Sequence, residues 1–278
     1  MLSPPATSNL DMLGSDPDTS REDMFVFVSW EACGAVRRRG GSVRALPLAL
    51  GLTLALTLPL AGKTVAIDPG HNGGNAAHAA QIARLVDAGT LRKACDTVGA
   101  STNDGYSEHA YNVDVALRLA RVLRARGARV VLTRATDNGW GPCITRRAAI
   151  ANAARADAAI SIHADGGPPG GRGFHVIYPP SIRGLTDDIA ARSRRLALDV
   201  RALFAAGTGE PYSTYVGTRG LDVRSDLGGL NLSNVPKVFV ETGNMRNASD
   251  ARRLRSARYR QLEAAALARG LAAFLGRA

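Results

Sequence analysis

Apolar positions along the chain switch period several times, and each switch marks a strand or a helix. Thr64-Val65-Ala66-Ile67 is a short apolar run halted by Asp68-Pro69-Gly70, which predicts a buried strand ending in a turn. Ala110, Val113, Leu117, Ala120 and Leu123 recur at three and four residues, predicting a helix that Ser107 caps and Gly127 ends. Arg129 to Thr133 then reads as a strand, Thr145 through Ala149, Ile150 and Ala153 as a helix, and Ala158 to Ile162 as the next strand. Gly173 to Tyr178, closed by Pro179-Pro180, and Lys237 to Val240 are two further strands. Helices are expected over Ile189 to Phe204 and from about Ser249 to Phe274, the latter broken near Ser256.

This alternation predicts an α/β fold: a single domain with a twisted, mostly parallel β-sheet flanked by helices on both faces. Residues 72–106 separate a strand from its helix by far more than an ordinary connection, so they are expected to form a functional insertion over the site.

Charge divides the chain of 278 residues before this domain begins. In residues 1–35, Asp11, Asp16, Asp18, Glu22, Asp23 and Glu31 face Arg21 alone, forming an acidic extension. Arg37, Arg38, Arg39 and Arg44 follow, and then Leu46 to Leu60 without a charge. That order predicts a signal peptide over residues 36–62 and an exported protein. The apolar run falls short of the roughly 18 to 20 residues of a membrane-spanning helix. Cleavage is expected near Ala61 or Gly62, an uncleaved anchor being the alternative. An acidic stretch ahead of the basic cluster is abnormal for a leader, so an internal start at Met24 or near Val36 is expected, with the part of the acidic extension ahead of that start untranslated. The catalytic part is then 63–278.

The net charge of +11 raises the question of nucleic acid, but aromatic residues make up only 5% and no nucleic-acid motif is present. Nucleic acid is therefore not an expected partner, and a basic surface facing anionic cell-wall polymers fits better. The Arg192-Arg194-Arg195 and Arg252 to Arg260 runs are read first as solvated helix faces. Cys33 precedes the apolar run, so Cys95 and Cys143 are the pair left in the exported part; a disulfide is expected, with two buried free thiols as the alternative.

Candidate chemistry falls at structurally equivalent places. His71 follows the first strand, Glu108 lies in the first turn of a helix, His163 ends a strand and Glu241 ends the last one. Carboxyl ends of parallel strands point into one crevice, where such residues converge. Two imidazoles and a carboxylate make a three-ligand zinc site with the fourth position free, and the remaining carboxylate could serve as base. The sequence separations match no short zinc motif. Taken singly, His71 reads as a turn histidine, Glu108 as a carboxylate favoured by the helix dipole, and Glu241 as a partner for an arginine.

Four ordered segments change the weighting: Asp68-Pro69-Gly70-His71, Ser107 to Asn112, Ser161-Ile162-His163-Ala164-Asp165, and Val240-Glu241-Thr242-Gly243-Asn244. Together with Arg147 and Asn152 they resemble the zinc-dependent N-acetylmuramoyl-L-alanine amidases, from about Lys63 to Phe274. The likeness is closest to the exported, single-domain mycobacterial type, which similarly carries a disulfide. The resemblance implies one Zn2+ per chain held by His71, Glu108 and His163, with Glu241 as the catalytic carboxylate. It also implies a peptidoglycan substrate cut between muramic acid and L-alanine, by a monomer. A non-catalytic wall-binding relative and a zinc peptidase or deacetylase are the alternatives.

Around this set, Asp68 and Asp165 are candidates to orient the histidine rings, and Asn75, Asn112 and Asn244 to contact substrate. His109 is expected to face solvent, His78 has no evident partner, and His175 is read as structural.

Overall fold

The computed structural model describes residues 58–276. β1 (Thr64–Pro69) leads into residues 72–106, which fold as a 3-10 turn (Gly73–His78), α1 (Ala79–Ala83) and a hairpin of β2 (Leu85–Asp87) with β3 (Arg92–Ala94). α2 (Glu108–Ala125), β4 (Arg129–Leu132), α3 (Ile144–Ala153) and β5 (Ala158–Asp165) follow. β6 (His175–Tyr178), α4 (Ala190–Thr208), β7 (Leu221–Val223) and α5 (Gly228–Asn231) lead to β8 (Lys237–Asn244). The chain closes with α6 (Ala248–Arg255) and α7 (Ala257–Leu275), separated at Ser256, whose side chain accepts from the Tyr259 amide.

The main sheet runs β4-β1-β5-β8-β6-β7. All its pairs are parallel except β6 with β8. The expected mostly parallel sheet is therefore present, with the antiparallel β6 turned against β8. Ser107 stands at the expected N-cap of α2, but its side chain makes no capping hydrogen bond. α3 begins one residue ahead of Thr145, after Cys143.

Side-chain alternation gives the two sheet faces different jobs. Val65, Ile67, Ile160, Ile162, Val238 and Val240 point to the face covered by α2, α4 and α7, where the main core lies. The other face, under α3 and α5, carries small residues such as Ala66 and Ala159 packed with Ala151 and Ala156. It also carries a buried polar cluster. Asp68 accepts from Thr133 Oγ1 at 2.6 Å, Ser161 Oγ at 2.7 Å, Arg147 Nη1 at 2.9 Å and Lys237 Nζ at 3.2 Å. The bulky face supplies the hydrophobic stabilisation, which leaves this one free for chemistry.

The packed region starts ahead of Lys63: Leu60 is buried in the main core and its amide donates to Arg126 O at 2.9 Å. Residues 1–57, with the acidic extension and most of the expected leader, lie outside the described residues. Among the described residues no helix is long and apolar enough to cross a membrane.

Cys95 and Cys143 form a disulfide across 48 positions, tying the insertion, just past its hairpin, to the start of α3. Closing a loop of that size restricts the unfolded chain, so Cys143→Ser should lower unfolding free energy by about 2–4 kcal/mol. Denaturant melts of the parent and variant measure it; coincident midpoints would contradict it.

Candidate metal and active site

Three strand ends and one helix start deliver the four candidate side chains to one groove. His71 follows β1 with φ +56°, a left-handed conformation that only a well-braced non-glycine residue holds. The brace is Arg147, which donates to the carbonyls of Pro69, His71, Gly141 and Pro142 and bridges Asp68 and Asp96. His163 and Glu241 sit side by side in the β5–β8 register. Glu108 opens α2 and is buried.

Glu108 is the hub. Its Oε1 lies 3.3 Å from His71 Nε2 and 2.9 Å from His163 Nδ1, and one ligand atom from each of the three residues lies within 4.8 Å of the others. Ala100 N donates to Glu108 Oε2 at 2.7 Å and Ala164 N to Oε1 at 3.2 Å, which fixes the carboxylate plane. Burial opposes ionisation of Glu108, yet His71 and His163 outweigh it and hold its pKa well below the usual range. Burial likewise opposes charging of His71, but Glu108 and Asp96 raise its pKa to about 10.

The His71 ring is oriented by the insertion. Its Nδ1 lies 2.9 Å from the carbonyl of Thr97, which can only accept, so Nδ1 carries the hydrogen and Nε2 is turned to Glu108. Asp96 Oδ1 is 3.3 Å from the same Nδ1. The sequence pointed to Asp68 for this task; Asp68 instead projects into the cluster under α3, because it shares the face of Ala66 and is taken up by four donors. Asp165 likewise makes no bond to the His163 ring, whose Nδ1 faces Glu108 and whose plane stacks on Phe239 at 5.2 Å.

Close packing at two glycines seats the three side chains. A Cβ on Gly70 would stand 2.0 Å from His163 Cε1, and one on Gly99 would meet His71 Cδ2 at 2.7 Å and Glu108 Oε2 at 2.8 Å. Gly70→Ala should therefore displace His163 and weaken metal binding at least about tenfold, the scale for misplaced ligand support. A zinc titration monitored by calorimetry tests it; unchanged affinity would count against the arrangement.

Glu241 lines the same groove, of about 300 Å³, with His71, Glu108 and His163. Its Oε2 is shielded from solvent and has no hydrogen-bond partner. Burial first, then Glu108 and Asp165, push its pKa well above the ordinary carboxylate value. His175 lies opposite Glu241 in the β6–β8 register, buried, with Nδ1 unpartnered. A second cavity of about 180 Å³ continues from His71 and His163 beneath the hairpin, walled by Ala94, Leu227 and Phe239.

The remaining sequence candidates have other work. Asn75 is buried and bonds Thr97 O and Gly141 N; Asn112 is buried against Gly70 O and Glu108; Asn244 bonds the carbonyls of Pro168 and Gly171. None is left facing the groove for substrate. Asn152 ties α3 to Leu232 O and Asn234 N. His109 is not a free surface group, since its Nδ1 lies 2.6 Å from Asp137 Oδ2, and His78 stacks on Trp140 at 5.4 Å. Asp96, Thr97 and Arg224 are site residues that the sequence did not reveal. Asp96 had one available signal, its place beside Cys95.

An α/β domain with an imidazole–carboxylate–imidazole cluster and a separate carboxylate at the carboxyl ends of its strands defines the class of metal-competent hydrolases. The family model described as N-acetylmuramoyl-L-alanine amidase matches residues 65–273, and the chain belongs to that family. A curated relative, the N-acetylmuramoyl-L-alanine amidase Rv3717 of Mycobacterium tuberculosis, is 46% identical over 218 residues, covering 78% of this chain and 88% of that protein. The crystal structure of the N-acetylmuramyl-L-alanine amidase Ami1 of Mycobacterium smegmatis superposes with a TM-score of 0.74 at 45% identity, over 79% of this chain and 99% of the other. The apo form of Ami1 from Mycobacterium abscessus gives 0.73 at 43%, over 78% and 100%. With the family comes the amidase class of activity.

Proposed function

We propose that the protein is a zinc-dependent peptidoglycan hydrolase that cuts the amide between the lactyl group of N-acetylmuramic acid and L-alanine. The observation that carries this is the convergence of His71, Glu108, His163 and Glu241 in one groove. Two imidazole nitrogens and one carboxylate oxygen are a donor set suited to Zn2+, and the three atoms already cluster closely enough to share one ion. A zinc ion there would supply Lewis acidity, polarising the scissile carbonyl and acidifying water.

The protein's own groups do the rest. Thr97 O and Asp96 keep Nε2 of His71 turned inward, while Ala100 N and Ala164 N hold the Glu108 carboxylate in place. Glu241 takes the proton of the attacking water and then returns it to the departing amine of L-alanine. Its raised pKa suits the first half of that transfer, because a weaker acid is a stronger base, and the second half runs downhill because the departing amine is far more basic than any carboxylate. Phe239, stacked on His163, keeps one wall of the groove apolar.

Mass spectrometry of muropeptides digested by the purified protein tests the bond cut. Stem peptides with a free L-alanine amine are expected. Products with any other new terminus would point to a peptidase or deacetylase, and intact muropeptides to a wall-binding relative.

An export signal or anchor within residues 36–62 precedes the catalytic domain, and the burial of Leu60 in the core supports a cut ahead of it rather than at Ala61 or Gly62. The exported monomer meets anionic wall polymers through arginines left exposed on its helices, such as Arg192, Arg194 and Arg195 of α4 and Arg252 and Arg258 beside Ser256. Arg253 and Arg260 contribute less, since Arg253 pairs with Glu210 and Arg260 with Asp114.

A further inference from the structure

Arg224 is the one arginine or lysine lining the catalytic groove among the described residues, in company with Glu108, Asp165 and Glu241. It follows β7, and its amide donates to Tyr178 O at 3.2 Å, so its Cα is fixed to the sheet. Its guanidinium is set by Asp226, through Nε–Oδ1 at 2.8 Å and Nη2–Oδ2 at 2.7 Å. Asp226 is shared with Lys93 of the hairpin, whose Nζ lies 3.0 Å from Oδ2. One carboxylate therefore serves two cations, and Nη1 of Arg224 lies outside the pair. Asp222 and Glu241 are its other acidic neighbours. The Arg224 side chain remains 39% exposed on the groove wall.

Arg224 is on the Glu241 side of the groove, near enough to favour the charged form of that carboxylate. If Glu241 returns its proton to the departing amine, the peptide half of the substrate leaves along this wall. Beyond L-alanine a stem peptide continues through a γ-linked D-glutamyl residue, whose α-carboxyl is either a free carboxylate or an amide. We propose that Arg224, held in orientation by Asp226, is a specificity-determining residue that receives this α-carboxylate and makes the enzyme prefer stems with the free acid. The inference rests on the amidase reading for the identity of the peptide. The free Nη1 edge of a guanidinium favours a carboxylate over a primary amide through its charge.

The test is calorimetric binding of two dipeptides, L-alanyl-γ-D-glutamate and its α-amide, to the purified full-length chain. The parent should bind the acid about fivefold more tightly than the amide, the scale of a partly exposed ion pair. Arg224→Gln should bring the two affinities together, and Arg224→Lys should keep part of the gap. Thermal melts check folding, and should Arg224→Gln fail to fold, Arg224→Lys carries the same comparison through a reduced gap. Equal affinities in the parent, no binding of either dipeptide, or a full gap surviving in a folded variant would overturn the proposal. Because binding needs no turnover, a protein that prefers the acid yet leaves muropeptides intact would refute the amidase reading and leave the carboxylate receptor standing.

Discussion

Glu241→Gln should keep its metal and lower amide hydrolysis by about 10²–10⁴-fold, the range for a positioned proton-transfer group. Glutamine has nearly the same shape, so the groove and the His71–Glu108–His163 cluster should persist. What it lacks is the ability to take a proton from water and carry it to the amine. Burial and the negative charges of Glu108 and Asp165 tune that ability in the parent. Rates of muropeptide cleavage, read beside metal content, measure the effect. Near-parental rates with metal bound would remove Glu241 from the proton transfer.

Asp68→Asn should destabilise the fold by about 3–5 kcal/mol, the usual consequence of leaving one member of a buried ion pair alone. Lys237 is fully buried, and Asp68 is its ion-pair partner at 3.2 Å. Arg147 would keep Asp96, so most of the loss falls on the lysine. The shift in melting temperature should be on the order of 10 °C for a domain of this size. Adding Lys237→Met should recover much of it, because the stranded charge is then gone.

The same pair sets a pH dependence. Burial alone would raise the Asp68 pKa, but Lys237, Arg147 and the hydroxyls of Thr133 and Ser161 hold it well below the ordinary value. A depressed carboxylate contributes its full stability above its unfolded pKa and loses it as pH falls toward the folded one. Parent and variant melts should therefore differ at neutral pH and converge below about pH 4. Equal stability at pH 7 would contradict this account of the cluster.

What the sequence disclosed and what it withheld divide along physical lines. α2 and α7 were legible because long amphipathic stripes repeat, and the break at Ser256 because its side chain caps the next helix. The positions of His71, His163 and Glu241 were legible because parallel strands all end on one side of a sheet. The hairpin, β7 and α5 were not read, since their three or four residues include no apolar run of the kind that marks β4 and β6. They are held by side-chain ties such as Asn231 Nδ2 to Ala88 O and Lys93 to Asp226. Asp96 and Thr97 were hidden for a related reason: their work depends on where a long insertion returns, not on local pattern. Asp68 was legible as important but not in its role, because one step of strand alternation decides whether it faces an imidazole or a buried lysine.

In the proposed mechanism His71, Glu108 and His163 hold one catalytic zinc. A zinc titration of chelator-stripped protein, following release of L-alanine-terminated stem peptides at each addition, decides whether they do. Activity should be lost on stripping, rise in proportion to added zinc and level off at one ion per chain, with His163→Ala showing no recovery. Full activity in the stripped protein, or recovery in His163→Ala equal to the parent, would contradict it.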